Sequence, residues 1–396
     1  MKAKIIKSTG EVFFILFAMV GSCFAEEAKS TSYPLAGIEI NGYFDFYFQA
    51  SPQAHAPIPA TSAGPQVVEG TVFERNINQM TLNVAEISVK KKIGKVSFRA
   101  DLALGEMVDQ LSGGGLQSVT GTNAGQNPTN TAANEPTRNL TQAVLTYTAS
   151  DRLTLNAGKF YTFMGYETAK AKDNWQYNRS YSYNYGVPFW HEGVNGTYVF
   201  TPDKLSSTFY LLNSWDGRIS QEQNKAMTLG LNVAYNPTSE ISLNLNYIGG
   251  AESSDQSRRE VSEVTASYNL HPKVTLAADY IYGVQKNIAG VGDVRWTAMD
   301  LYLKWAATEN YTLSPRIEYF DDSDKGFAVA GGLSGVGLKQ RITSVTLANN
   351  FSLGDGIEAR FELKVDGSDS AGFFKDQNGA GLNHQESYTL ALLYAF

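Results

Sequence analysis

Residues 357–366 read Ile357-Glu358-Ala359-Arg360-Phe361-Glu362-Leu363-Lys364-Val365-Asp366. Every odd position is apolar and every even one is charged. Successive side chains of a β-strand point to opposite faces, so this stretch has one face of hydrocarbon and one of charge. A half-buried strand of a water-soluble sheet seldom sustains that contrast for so long. A strand with lipid outside and water inside requires it.

The same alternation runs through Ile38-Ile40-Phe44-Phe46-Phe48 against Glu39-Asn41-Asp45-Gln49, and through Val96-Phe98-Ala100-Leu102-Leu104 against Ser97-Arg99-Asp101. It returns as Ile241-Leu243-Leu245-Tyr247 against Ser242-Asn244-Asn246. The pattern predicts strands near 37–49, 77–92, 94–107, 139–150, 152–163, 190–201, 204–214, 225–236, 239–250, 259–270, 273–284, 294–307, 310–320, 339–352, 356–367 and 384–396. Helical periodicity is absent throughout. Connections alternate in length. Short ones carry turn residues, among them Ile93-Gly94, Pro202-Asp203, Asn236-Pro237, His271-Pro272 and Gly354-Asp355-Gly356. Long ones fall near 50–76, 108–138, 164–189, 215–224, 251–258, 285–293, 321–338 and 368–383. The predicted fold is all-β: a transmembrane antiparallel up-and-down β-barrel of about 16 strands, with short periplasmic turns, long extracellular loops and both termini periplasmic. The long loops Ser51–Gly70 and Ser112–Asn134 are rich in Pro, Ser or Gly and read as mobile.

Composition agrees with that reading. The 396 residues include 22 Tyr, 21 Phe and 36 Gly but only 18% charged residues, and mean hydropathy is slightly negative. Met1 to Ala25 reads as a secretory leader: Lys2, Lys4 and Lys7, then apolar Val12–Val20, then Cys23-Phe24-Ala25 before Glu26. A lipobox at Val20-Gly21-Ser22-Cys23, with Cys23 lipidated, is the rival reading. Residues 26–36 form a short periplasmic segment, and 37–396 a single barrel domain. Cys23 is the lone cysteine, which excludes an intramolecular disulfide. The net charge of −7 becomes more negative once the leader is removed, and it disfavours nucleic acid as a partner.

The chain ends Tyr388-Thr-Leu390-Ala-Leu392-Leu-Tyr394-Ala-Phe396. Bulky residues at every second position and a terminal Phe resemble the signal by which the barrel assembly machinery of the outer membrane recognises its substrates.

From Asn41 onward the order of motifs resembles the OmpL-like family of β-barrel porins. The matching residues are Asn41-Gly42-Tyr43-Phe44-Asp45-Phe46-Tyr47, Phe98-Arg99-Ala100-Asp101-Leu102 with Gly105, Gly158-Lys159-Phe160 and Gly165-Tyr166-Glu167. They continue as Asn178-Arg179-Ser180-Tyr181, Pro188 with His191-Glu192-Gly193-Val194, and Asn213-Ser214-Trp215-Asp216. The likeness is strongest between Gly158 and Asp216. It implies an outer-membrane diffusion pore for small hydrophilic solutes, with no catalytic residues.

A barrel of this size is too wide for wall side chains to fill, so an aqueous channel is expected unless a loop enters it. The candidate constriction is the loop 164–189, carrying Lys170, Lys172, Asp173, Trp175, Tyr177, Arg179, Tyr181, Tyr183 and Tyr185. Aromatic faces edged by donors suit polar solutes, and an Arg held against lumen carboxylates would impose a field across the opening. Polar parity assigns Lys90, Arg99, Lys304, Arg316, Arg360 and Lys364 to the lumen. It assigns to the same face Glu39, Asp45, Glu86, Asp101, Glu260, Glu263, Asp279, Asp300, Glu318, Glu358, Glu362 and Asp366. That excess predicts mild cation preference; cross-strand pairing, leaving a nearly neutral lumen, is the alternative. Lys159 shares parity with Leu153 and Leu155, so it either snorkels from the lipid face or follows a bulge.

An enzyme would need a nucleophile and base within reach, and of His55, His191, His271 and His384 only His191 lies near a strand start. No metal-ligand spacing or phosphate loop is present, and no cofactor is implied. The competing function is a non-conducting barrel acting as receptor, adhesin or structural protein through its loops. A homotrimer and a monomer are equally compatible with the pattern.

Overall fold

The computed structural model describes residues 37–53, 66–113, 137–215, 225–252, 257–329, 337–376, 378 and 380–396. The leader, Cys23, the segment 26–36, and residues 54–65 and 114–134 of the two Pro/Ser/Gly-rich loops lie outside the described residues.

All sixteen predicted strands form. They are β1 (Ile38–Ala50), β2 (Met80–Ile93), β3 (Val96–Leu104), β4 (Leu140–Ser150), β5 (Leu153–Tyr161), β6 (Trp190–Thr201), β7 (Leu205–Leu212) and β8 (Thr228–Tyr235). They continue with β9 (Ile241–Ala251), β10 (Arg258–His271), β11 (Val274–Ile288), β12 (Gly292–Ala306), β13 (Tyr311–Asp321), β14 (Arg341–Gly354), β15 (Ile357–Ser368) and β16 (His384–Ala395). Each pairs with its sequence neighbours, and β16 returns to β1 to close the barrel. Closure matters because an open sheet edge in hydrocarbon would leave backbone N–H and C=O groups without partners.

The opening decapeptide behaves as its alternation requires. Val365 faces Val345 and Leu363 faces Leu347 across the β14–β15 ladder, and Phe361 is 41% exposed on the outside. Its even neighbours Arg360, Glu362, Lys364 and Asp366 are buried inside. Ile317, Leu390, Leu245 and many others continue the exposed apolar band. A patch of that extent is covered by lipid, not water. At the seam Gly42 and Phe396 exchange backbone hydrogen bonds of 3.1 Å each. A Cβ on Gly42 would lie 2.1 Å from the Phe396 ring, so the terminal aromatic seats there only because residue 42 has no side chain.

Strand 94–107 ends earlier than predicted. Gly105 takes φ +124, and the chain turns into helix α1 (Glu106–Gly113), which buries Met107, Val108 and Leu111. Two short hairpins, Gln66–Val67 with Asn76–Ile77 and Phe374–Lys375 with Gly381–Leu382, stand inside long loops.

One lumen assignment changes, and the position of Lys159 is resolved. Glu260 lies out of phase with Glu263, whose side chain is buried inside. Glu260 instead bonds Arg258 and Lys286 at 2.5 and 2.6 Å, with its stem beside Tyr247. Lys159 does not snorkel: the β4–β5 ladder shifts register between Thr148 and Ser150, ahead of its pairing with Ala143, and its pairing with Glu192 is in step. Its ammonium bonds the Thr137 carbonyl at 3.0 Å and stands 3.9 Å over the Trp190 ring. Beyond Gly158, at φ +135, protein covers both faces of β5: Lys159, Tyr161 and Trp190 line one small cavity with Leu111 and Arg138, while Phe160 lies against His191 and Tyr210.

Candidate pore and its inserted loop

The chain leaves the wall at Thr162, whose N–H donates to the Phe189 carbonyl at 3.0 Å. Between them the loop lies inside the barrel, built around a 3₁₀ turn (Ala171–Asp173) and a π-helical turn (Ser182–Gly186). Such a segment carries backbone N–H groups that need acceptors once buried. The wall's carboxylates supply them. Gly165 N–H donates to Glu263 at 2.8 Å and Tyr166 N–H to Asp279 at 3.3 Å. Tyr177 and Asn178 N–H donate to Glu362 at 2.7 and 3.0 Å, and Tyr181 N–H to Glu318 at 2.7 Å.

Wall cations reach the loop's carbonyls in return. Arg360 donates to the carbonyls of Ala171 and Gln176 at 2.8 and 3.2 Å. Arg316 donates to the Asn178 carbonyl at 2.7 Å and pairs with Glu167 and Glu318. Charge-assisted bonds of this kind are about twice as strong as neutral ones, and each offsets the cost of burying an ion.

Most of the residues singled out in the sequence meet here. Lys170 bridges Glu86 and Asp101, the latter at 3.3 Å. Asp101 also holds Arg99 at 2.6 Å. Tyr177 donates its hydroxyl to Asp45 at 2.7 Å, and the Lys364 ammonium, paired with Asp366 at 3.5 Å, stands 4.5 Å over the Tyr181 ring. Glu358 pairs with Arg360. Trp175 packs edge-on to Tyr166 and Tyr302, with Lys304 above it at 5.7 Å. Lys172 and Asp173 pair with each other at 2.7 Å and stay partly exposed. Tyr388, Leu390, Leu392, Tyr394 and Phe396 all face outward.

Arg179 departs from expectation. It is fully buried, bonded to Glu74 and to the carbonyls of Tyr177 and Ala169, with its guanidinium 5.0 Å over the Phe73 ring. It serves packing between two loops and presents no charge to water. Burial pushes the Glu74 carboxyl up to about 7, against the pull of Arg179. Sequence reading missed Phe73, Glu74 and α1. Glu167 sat in a quoted motif without an assigned role, and nothing local marks Glu74 at all.

The loop's polar anchors fall on β10–β16 and β1–β3. Toward β7 it offers an aromatic face instead, Phe163 stacked on Tyr210 at 3.9 Å. The charged residues of β4–β9 are Lys159 and Glu192, paired strand to strand and both bonded to Thr137; the rest of the inner register presents Thr146, Asn156, Asn195, Thr197, Thr208, Asn232, Asn244 and Asn246. Among the described residues no group of three or more His, Cys, Asp or Glu is arranged to hold a metal ion.

A closed barrel with a lipid-facing exterior and a long loop folded against a charged inner wall defines the porin class of outer-membrane proteins. The family model described as "Putative beta-barrel porin-2, OmpL-like" matches residues 37–396, and the chain belongs to that family. Solved structures share the fold at low identity. The outer membrane channel DcaP of Acinetobacter baumannii aligns over 93% of this chain and 100% of its own, at TM-score 0.58 and 11% identity. An anion-selective porin from Comamonas acidovorans aligns over 91% and 99%, at 0.57 and 11%. OmpT of Vibrio cholerae, solved in a trimer form, aligns over 91% and 99%, at 0.52 and 9%. Comparison with curated protein sequences found no match.

Proposed function

We propose that this protein is a passive diffusion channel for small hydrophilic solutes, with the loop 164–189 as its constriction and both termini in the periplasm. The observation that carries the reading is the row of loop N–H groups bonded to Glu263, Asp279, Glu362 and Glu318. A loop fixed at that many points narrows the lumen at a defined place. Lipid of the outer membrane surrounds the wall, the C-terminal pattern engages the barrel assembly machinery, and a homotrimer is the proposed assembly. The trimer form of the Vibrio cholerae protein is a precedent in the same fold.

The channel favours cations mildly. Arg99, Arg316, Arg360 and Lys364 are each paired with a carboxylate. Among the described residues Asp45, Glu263, Asp279, Asp300 and Glu362 answer to hydroxyls, amides or backbone N–H groups, so the acidic excess survives the pairing. The second reading, a non-conducting barrel, draws on the complete burial of Tyr177, Arg179, Tyr181 and Arg316, which shows the loop packed tightly against that side of the wall.

Planar-bilayer recording on the purified barrel tests both. We expect stepwise currents and a reversal potential on the cation side under a salt gradient. Anion selectivity removes the preference, and a folded but silent barrel replaces the channel with the surface-protein reading.

A further inference from the structure

The charged residues of the inner wall are segregated, and the segregation assigns a substrate class. From β4 to β9, strands contiguous in the barrel, the polar groups of the inner register apart from Lys159, Glu192 and His191 are amides and hydroxyls, set among apolar residues such as Val144, Leu212 and Ile248. These groups form a cross-strand belt. Thr146 donates to Asn156 at 2.6 Å, and Asn156 to Asn195 at 2.8 Å. Thr197 and Thr208 share a bond of 2.8 Å. Asn232 donates to Asn246 at 2.7 Å and Asn244 to Thr265 at 3.3 Å. Thr146, Asn156, Asn195, Thr197, Asn232 and Asn244 remain half-exposed.

Resting on the channel reading above, we propose that solutes travel along this neutral wall, and that the preferred ones are uncharged polyhydroxy compounds of the size of a sugar or polyol. An amide offers a donor and an acceptor together, so a hydroxyl sheds water and gains a bond of equal kind at no electrostatic cost. A charged solute finds no counter-ion there and keeps its hydration shell. The loop reinforces the bias by placing its charged anchors on the charged strands, while on this side Phe163 stacks on Tyr210 and Thr162 bonds His191.

Osmotic swelling of proteoliposomes with glucose, glucosamine and gluconate compares one size at three charges, and K⁺ conductance is measured on the same preparation. The expected order is glucose, then glucosamine, then gluconate, with glucose ahead of gluconate by ~3-fold or more. Replacing Asn156, Asn195, Asn232 and Asn244 together by Leu, which keeps their bulk, lowers the ratio of glucose flux to K⁺ conductance by about 5-fold, and Asn→Gln at the same positions restores it. Heat-modifiable migration on gels shows which variants have folded, and the single replacement Asn232→Leu, which lowers the same ratio by a smaller factor, stands in for the Leu set if the latter has not. A barrel that conducts K⁺ but passes gluconate as fast as glucose overturns this inference alone. One silent to K⁺ overturns it together with the channel reading. An unchanged glucose-to-K⁺ ratio in the folded Leu variant shows that the wall is not the path.

Discussion

Between β10 and β3 the inner wall carries buried charges beneath the loop; between β4 and β9 it carries mainly amides and hydroxyls, several of them half-exposed. Arg316, Glu318, Glu362 and Asp101 lie at 0–1% exposure beneath the inserted loop, whereas Asn156, Asn195 and Asn232 keep part of their surface. The contrast follows from the price of burying an ion. A carboxylate or guanidinium removed from water must find several partners, and a folded-in loop with its backbone groups supplies them. An amide satisfied by the amide on the next strand needs no cover. Where the charges sit therefore determines where the loop docks, and the remaining wall is left for solutes.

The sharpest way to break this comparison is Arg316→Met. Removing the guanidinium takes from Glu167 and Glu318 the cation they share and frees the Asn178 carbonyl. The expected loss is about 3–5 kcal/mol, the usual cost of breaking a buried ion pair, read by urea unfolding of the detergent-solubilised barrel. Single-channel current should become larger and noisier as the loop undocks. On the wall of amides Asn232→Leu should cost roughly 1 kcal/mol, because it removes only neutral amide bonds, a good one to Asn246 and a long one to Asn244. Equal costs at the two sites would mean that loop and charged wall are not coupled as described.

The next effect is set by pH and belongs to loop carboxyls outside the strands. Burial raises Glu74 and Glu106 from an ordinary value of 4.5 to about 7, and Asp322 from 3.8 to about 7. The folded state thus holds these protons more tightly than the unfolded chain does. Their stabilisation is complete below the unfolded value and is lost as pH rises through about 7, with each group contributing on the order of 3 kcal/mol. Thermal unfolding in detergent should give a higher midpoint at pH 5 than at pH 8, and the triple variant Glu74→Gln, Glu106→Gln, Asp322→Asn should flatten the difference. A midpoint that rises with pH would contradict the burial of these groups.

The wall was legible in sequence because each strand states its own faces. Phe361 and Glu362 reveal inside and outside without reference to any other segment, and a wrong partner could not change the parity. The loop was legible only as composition. Lys170, Tyr177 and Arg179 were singled out, but their partners Glu86, Asp45 and Glu74 lie 84, 132 and 105 residues away, and no local period encodes such distances. Two misreadings have physical causes. Glu260 was grouped with Glu263 although an odd separation puts them on opposite faces, and Met107-Val108-Leu111 was too short a helical signal to separate from the end of a strand. The belt of amides is written in Asn156, Asn195, Asn232 and Asn244, each on the polar parity of its strand, but an amide carries no charge to distinguish a solute path from an ordinary wet face.

The smallest effect on stability, and the finest probe of the comparison, is Asn195→Asp. Asn195 Oδ1 already accepts the Asn156 amide at 2.8 Å, and a carboxylate oxygen can take the same bond, so no hydrogen bond is lost. Its half-exposed position keeps the new charge hydrated, and the stability change should stay within about 0.5 kcal/mol. Permeation should respond more strongly. A fixed negative charge on the path attracts cations and repels anions over roughly a Debye length, about 10 Å at 0.1 M salt. The reversal potential should move further toward cations, and the shift should shrink as salt is raised. The same change buried in the charged half, Asn178→Asp, would set a carboxylate beside Glu362, with which the Asn178 side chain now forms a hydrogen bond. It should disturb loop docking and leave selectivity nearly as it was. If instead Asn178→Asp shifts selectivity and Asn195→Asp does not, ions travel along the charged wall and the two halves have exchanged roles.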